Sequence, residues 1–517
     1  MWALKTFIWI VLAGCLCDAY KLLLVFTFPG KSHGILGEAY VRNLIKAGHE
    51  VTYLTASPLN TIPPGVRQIY MKDNIKVYPT ESFVNIENIM NNALTLNDAF
   101  RHFAMVLTMV NHTITHEEVQ RLMMDPNERF DAVIAEWMFS DLVCGFAAVF
   151  QCPLIWSSSM DPHNLVLALI DEDPNPAYTP DNMSPVYPPF NFIERTISLL
   201  ASGLMNYIIW NQRATELEVF TNGFGPAAAK RGHVLPSYDE VKYNGSLMLG
   251  NSHASSGLAV RLPQSYKPIG GYHIEDTVEP LPKEWQKIMD EAENGVIYFS
   301  MGSILKSREF PEQIKNGLLK VFRGLKQTVI WKFEDAIPDL PNNVHLVDWA
   351  PQQGILAHPN CILFITHGGL LSTTEALHFG VPLIGIPMFA DQFNNVNKAV
   401  SKGIALHVKF NYDTPQNLKV AIEEMLGNQK YREKINELSF AYHHRPAPPS
   451  AEFVHWVEHV IATRGAPHLR SPALRVPIYQ KMYLDLAAVV VVLVAVLVKG
   501  VKWMFASKKE DFSKKNR

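Results

Sequence analysis

"THGGLLSTTEALHFGVP" (Thr366–Pro382) lies between two short apolar runs, CILFI (Cys361–Ile365) and LIGIP (Leu383–Pro387). Both runs read as buried strands. Leu371 to Phe379 has helical spacing, with Ala376 and Leu377 following Leu371 on one side. Gly380 closes the helix and Pro382 follows it, the usual punctuation of a C-terminus. Strand, glycine turn, helix and strand make a βαβ unit. Its turn presents backbone N–H groups at the positive end of a helix, which is a place for an anion.

The same order recurs at the other end of the chain. In YKLLLVFTFPGKSHGILGEAYVRNLIKAGHEVTYLT, Leu22–Thr27 reads as a strand, Ile35–Ala47 as a helix capped by Gly48, and Val51–Leu54 as the next strand. FDAVIAEWMFSDLVCGFAAVFQCPLIWSSS repeats the pattern from residue 130. Residues 85–125 read as helical and Met-rich, 171–189 as a Pro-rich loop, and ISLLASGLMNYIIW (197–210) as an apolar helix. The stretch 261–284 has the Pro, Gly and polar content of a linker. Beyond it a second strand series begins: GVIYFSMGS, TVIWKF, VHLVDW, CILFI and LIGIP. Two α/β series flanking a linker predict two doubly wound domains, 20–260 and 285–470, facing a cleft. Ligands in such folds bind at the carboxyl ends of the strands.

A chain of 517 residues, 48 % of them hydrophobic, is long and apolar enough for more than one core. Its net charge of −3 gives no reason to expect nucleic acid as a partner. Residues 1–19, MWALKTFIWIVLAGCLCDA, read as a secretory signal peptide cut after Ala19. Residues 483–505 read as a transmembrane helix: VVVVLVAVLV has no polar face, and Lys499, Lys502 and Trp503 suit its interfacial end. The basic tail 506–517 then faces the cytosol and the body the lumen, a single-pass type I arrangement. Lys514-Lys515-Asn516-Arg517 resembles the dilysine signal of resident endoplasmic-reticulum membrane proteins. After removal of the signal peptide three cysteines remain, Cys144, Cys152 and Cys361, which is not a disulfide framework. Asn111, Asn182 and Asn244 begin glycosylation sequons that a lumenal body could use.

The C-terminal half reads WAPQQGILAHPNCILFITHGGLLSTTEALHFGVPLIGIPMFADQFNN from Trp349 to Asn395. Trp-x-Pro-Gln, His-Pro, Thr-His-Gly-Gly, Ser-x-x-Glu, Gly-x-Pro and Asp-Gln occur in the order and spacing of the UDP-glycosyltransferase signature. The resemblance extends over the whole chain and is nearest the insect branch. It implies a GT-B fold, with a UDP-sugar as co-substrate and no metal cofactor. It also implies contacts of His367, Gly369, Ser372 and Ser303 with the diphosphate, and of Glu375 with the ribose. Trp349 would stack on uracil with Gln352 nearby, and Asp391 and Gln392 would hold the sugar hydroxyls. Many relatives carry Asn where this chain has Leu371. Ser372-x-x-Glu375 is also the pattern of a capping box, an alternative local role.

In the N-terminal half, His33 of PGKSHG resembles the family's general base. Its partner carboxylate is Glu136 by alignment or Asp141 by residue type, and residue type tips the reading to Asp141. Asp171-Glu172-Asp173 mimics an Asp-x-Asp metal motif but sits in the Pro-rich loop and reads as solvated surface. No Gly-x-Gly-x-x-Gly turn points to a nicotinamide cofactor.

The implied activity is inverting transfer of a hexose from UDP to a hydroxyl of a small lipophilic acceptor. Glucose is the expected sugar, since Gly250 falls where glucuronosyltransferases carry an Arg. Glucuronate, and a lumenal binding protein that has lost catalysis, are the alternatives. Partners expected are the UDP-sugar, the acceptor and the membrane, and a homo-oligomer is compatible with the sequence. No motif names the acceptor.

Overall fold

The computed structural model describes residues 19–79, 86–90, 96–181, 184, 186–275 and 277–515. The predicted signal peptide (but for its last residue), Asn182 and the final two residues of the tail lie outside these. The side chains beyond Phe505 lie outside them as well.

The first sheet has seven parallel strands in the order β3-β2-β1-β4-β5-β6-β7. They are β1 Lys21–Phe26, β2 Glu50–Thr55, β3 Val66–Tyr70, β4 Ala132–Trp137, β5 Leu154–Ser158, β6 Leu247–Gly250 and β7 Tyr266–Pro268. The second sheet has six, also parallel, in the order β10-β9-β8-β11-β12-β13. These are β8 Val296–Ser300, β9 Thr328–Lys332, β10 Val344–Val347, β11 Cys361–Thr366, β12 Leu383–Gly385 and β13 Ala405–His407. The two doubly wound sheets expected from the repeated strand–turn–helix pattern are therefore present. Their central strands are buried on both faces: all six residues of β4 and all five of β8 are inaccessible, as parallel sheets covered by helices require.

In each sheet the strand order reverses, between β1 and β4 in the first and between β8 and β11 in the second. At a reversal the two crossover helices leave to opposite faces, and a crevice opens beyond the strand ends. The register Val25↔Ala135 sets Glu136 beside the end of β1. The register Thr366↔Ser300 sets His367 beside the turn that leaves β8.

Two stretches depart from their sequence reading. Residues 261–284 are not a free linker throughout. Tyr266–Pro268 pairs with β6 as the edge strand β7, and Ile269 and Tyr272 enter the first core. Pro263 and Pro268 gave the stretch its loop-like composition, yet an edge strand tolerates proline because one side of it needs no ladder hydrogen bond. The helix Pro449–Ala462 follows the second sheet in sequence but packs with the first. Phe453, Val457 and Val460 share a core with β1 and with the helix Lys31–Lys46, and Phe453 lies 4.4 Å from the Tyr40 ring.

The segment 471–517 forms a second compact unit. Its helix Leu484–Lys515 contains Leu484–Phe505, which is long and apolar enough to cross a membrane and has no buried side chains. At 1.5 Å per residue its 22 residues reach about 33 Å, against a hydrocarbon core of about 30 Å. The cysteines Cys144, Cys152 and Cys361 are free. Asn244 is exposed in a turn, whereas Asn111 is half-buried within the helix Leu96–Thr115, a poor setting for a sequon.

Candidate active site

Gly30 ends the loop after β1 with an extended backbone, and the helix Lys31–Lys46 begins behind it. His33 is thereby held in the first helical turn, its ring 4.6 Å from that of Phe28. Its Nδ1 lies 2.6 Å from Oε1 of Glu136, the penultimate residue of β4. A carboxylate only accepts, so Nδ1 carries the proton and donates it, which leaves Nε2 as the basic nitrogen. Ser159, just past β5, donates its hydroxyl to the same Oε1. Oε2 of Glu136 has no hydrogen-bond partner among the described residues. Glu136 is also among the residues lining a small cavity, with Phe28, Met109, Val110, Met138, Val143, Thr27 and Ser140.

The structure decides between the two carboxylates. Asp141 does not pair with His33. Its Oδ1 accepts from Trp137 Nε1 at 2.6 Å, and its Oδ2 lies 2.8 Å from the ammonium of Lys242. Both side chains of that ion pair are largely buried, so Asp141 balances a buried charge. Glu136, the aligned residue, supplies the dyad because a glutamate at a strand end spans the gap that residue type alone seemed to rule against.

In the second domain the turn after β11 is closed by His367, Gly368 and Gly369. Gly368 has φ +82°, a backbone reserved largely for glycine. The His367 ring fills the space above two further glycines. A Cβ on Gly302 would come within 2.5 Å of it, and one on Gly369 within 2.6 Å. Burial, with Lys332 nearby, pushes the His367 imidazolium down to about 4, so near neutrality the ring is uncharged and can donate one N–H. Ser303 lies one residue past Gly302 in the facing turn.

The N-cap of the helix Leu370–Phe379 is Gly369, with no side-chain cap. Ser372 and Glu375 therefore lie inside the helix and do not form a capping box, which needs its serine at the cap itself. They join a network. Gln352 Nε2 donates to Glu375 Oε2 at 2.6 Å and to Ser372 Oγ at 3.3 Å, and Tyr298 donates to Gln352 Oε1 at 3.2 Å. A residue the sequence reading missed lies beside it: His273, fully buried, has Nε2 3.4 Å from Glu375 Oε1, though without hydrogen-bond geometry. It comes from the stretch read as linker, where a lone histidine among Pro and Gly carried no signal.

Trp349 is half exposed, with the ammonium of Lys31 4.4 Å from its ring centroid. This contact joins the turn of the first domain to the second. A buried ion pair between Asp161, past β5, and Lys398 joins them again. Asp391 precedes the helix Gln392–Ser401 without a side-chain cap bond, and burial raises its carboxyl above the usual range while Asn395 donates to it at 2.9 Å. Gln392 accepts the backbone N–H groups of Met388 and Phe389, at 2.9 and 3.2 Å. That bracket fixes a loop in which Ala390 is held at φ +54°.

This architecture is shared with solved glycosyltransferases. The calicheamicin glycosyltransferase CalG4 superposes with a TM-score of 0.56 at 16 % identity, over 87 % of this chain and 100 % of its own. A UDP-glucosyltransferase from Polygonum tinctorium does so with a TM-score of 0.56 at 15 % identity, over 86 % and 99 %. The fold is thus GT-B. Residues 22–516 match the profile of the family described as UDP-glucoronosyl and UDP-glucosyl transferase. The chain is 33 % identical over 474 residues to UDP-glucosyltransferase 2 of Dactylopius coccus, covering 90 % of itself and 88 % of that relative. It is 28 % identical over 490 residues to UDP-glucuronosyltransferase 2B15 of Rattus norvegicus, covering 90 % and 89 %. The chain belongs to this family and is a UDP-glycosyltransferase, glucosyl or glucuronosyl.

The two carboxylates give opposite expectations. Glu136→Gln should lower turnover by on the order of 10²–10⁴, with the folded protein as stable as wild type. Asp141→Asn should leave turnover per folded molecule near wild type but strand Lys242. Breaking a buried pair costs about 3–5 kcal/mol, readable in the denaturant midpoint. Steady-state kinetics beside urea unfolding of both variants checks the assignment, and a reversed pattern overturns it.

Proposed function

We propose that the protein transfers glucose from UDP-glucose to the hydroxyl of a small lipophilic acceptor, with inversion at the anomeric carbon. The observation that carries this reading is the His33–Glu136 pair at the strand-order reversal of the first sheet. The acceptor oxygen attacks the anomeric carbon while its proton passes to His33 Nε2, and Glu136 holds the imidazolium that results. The bond between that carbon and the diphosphate oxygen breaks on the opposite side. Negative charge then builds on the leaving diphosphate, and the N–H groups at the start of the helix Leu370–Phe379 face it together with His367. Gly369, Ser372 and Ser303 are the further diphosphate contacts. Glu375, held by Gln352 and Gln353, accepts from the ribose hydroxyls. Trp349 stacks on the base, and Asp391 and Gln392 take the sugar hydroxyls. No metal is required in this scheme. The walls formed by Met109, Val110, Met138 and Val143 suit an apolar acceptor.

The preference for glucose rests on charge. A buried glucuronate carboxylate needs a cation. At Gly250, where related glucuronosyltransferases carry an Arg, any side chain would run into the phenol of Tyr266, itself buried and bonded to Ser252 at 3.0 Å. Lys332 is engaged by Glu334 at 3.0 Å. We place the body in the lumen of the endoplasmic reticulum, anchored by Leu484–Phe505. The basic tail, with Lys508, Lys509, Lys514 and Lys515, supports a cytosolic end.

Three measurements test this. His33→Ala should cut turnover by about 10²–10⁴ while UDP affinity stays near wild type; near-normal turnover removes the base. With equal UDP-glucose and UDP-glucuronate and one phenol, mass analysis should find mainly the glucoside, and a predominant glucuronide would falsify the sugar assignment. Protease added to intact microsomes should remove only a C-terminal tag; digestion of the body without detergent excludes the topology.

A further inference from the structure

Ser157, Ser158 and Ser159 close β5 and begin the loop after it, and each hydroxyl has a different partner. Ser157 Oγ lies 2.8 Å from the Tyr40 hydroxyl. Ser158 donates to the carbonyl of Met160 at 3.0 Å. Ser159 donates to Oε1 of Glu136. The register explains the last contact. Glu136 on β4 stands beside Ser157 on β5. Alternate residues share a face, so Ser159 lies on the same side as Glu136, just past the strand ends. Glu136 needs such a contact. Its side chain is long, and ordering it costs rotamer freedom. Both of its hydrogen bonds among the described residues fall on Oε1, from His33 Nδ1 at 2.6 Å and from Ser159, and Oε2 has none. Without the serine the imidazole would be its sole anchor among them. Ser159 is itself buried and fixed: its carbonyl accepts from Asn251 Nδ2 at 3.3 Å, and the carbonyl of Ser158 accepts the Asn251 backbone N–H at 3.0 Å.

We propose that, given His33 as the base inferred above, Ser159 is a positioning residue for the His33–Glu136 dyad: its hydroxyl holds the Glu136 carboxylate on Nδ1 of His33, which keeps Nε2 as the nitrogen that takes the acceptor's proton. The hydroxyl acts in two ways. It locates Oε1 at the meeting of two donors, so the imidazole is oriented as well as paired. It also stabilises the charge of the carboxylate while the imidazole is neutral. Removing it harms that state most, because Glu136 then has no cation beside it. Proton uptake by the pair becomes easier, and the base is lost to protonation at a higher pH. The other ionisable groups around the pair do not act through this hydroxyl. Tyr40, Tyr53 and Tyr272 lie within electrostatic reach of Glu136, and burial keeps all three phenols un-ionised. Asp391 of the second domain is within reach of His33. Lys31 is turned to the Trp349 ring, Asp161 is paired with Lys398, and burial pushes the His163 imidazolium down to about 3.

The test is the pH profile of kcat/KM for the full chain with UDP-glucose and one phenol. Ser159→Ala should lower kcat about ten-fold, leave UDP affinity near wild type, and move the acid limb up by about one pH unit. Ser159→Thr, which keeps a hydroxyl, should return the limb to its wild-type place. Ser157→Ala, which removes the Tyr40 contact at the same strand end, should leave the limb unmoved. An acid limb in Ser159→Ala that coincides with wild type overturns the proposal. So does an equal shift in Ser157→Ala, which assigns the effect to a loosened strand end. His33→Ala in the same series separates the two possible failures. Turnover retained there removes the base itself, whereas turnover lost there, with an unmoved limb in Ser159→Ala, removes only the role of the serine.

Discussion

The strand-order reversal in each sheet is the constraint from which the site follows. A parallel sheet must send each connection over one of its faces, and the face changes only at the reversal. At β1/β4 the change delivers the helix of His33 and the end of the strand bearing Glu136 to one crevice. At β8/β11 it delivers the Gly302 turn and the His367 turn to another. The second junction depends on absent side chains. The His367 ring occupies the space that Cβ atoms on Gly302 and Gly369 would take, so those glycines are needed by packing before any ligand is considered.

Charge is arranged to suit that geometry. At the second junction His367 is held neutral by burial, and the cation beside it, Lys332, already has a carboxylate. Two buried ion pairs stand elsewhere, Asp141 with Lys242 inside the first domain and Asp161 with Lys398 between domains. The interdomain pair begins at the same loop after β5 that supplies Ser159 to Glu136. One short segment thus touches both the dyad and the second domain. The relative placement of the halves and the aim of Glu136 are set together.

The fold was legible because parallel strands buried on both faces leave long apolar runs, and because glycine turns between them are conspicuous. The residues around the turns after β8 and β11 were legible as an ordered motif. Three things were not. The edge strand β7 was hidden by prolines that an edge tolerates. The return of the helix Pro449–Ala462 to the first core was hidden because sequence order does not encode which sheet a terminal helix joins. His273 was hidden because its neighbour in space, Glu375, stands 102 positions away and no local pattern joins them. The choice of carboxylate failed for a different reason. It weighed the residue type and ignored the neighbours, and Trp137 and Lys242 had already claimed Asp141.

Glu136 has one further property that ties the dyad to the cavity. Its Oε1 carries both His33 and Ser159, while Oε2 is buried with no partner among the described residues. A buried acceptor without a donor is unfavourable by about 1–3 kcal/mol, a cost that the proposed mechanism offsets. Two events relieve it. An imidazolium on His33 strengthens the bond to Oε1 and stabilises the whole carboxylate. A hydroxyl entering between the apolar walls of Met109, Val110 and Met138 can donate to Oε2, since the cavity reaches that residue. Under the proposed mechanism the first arises as the proton moves and so favours the transition state, whereas the second acts on binding and helps to hold the acceptor.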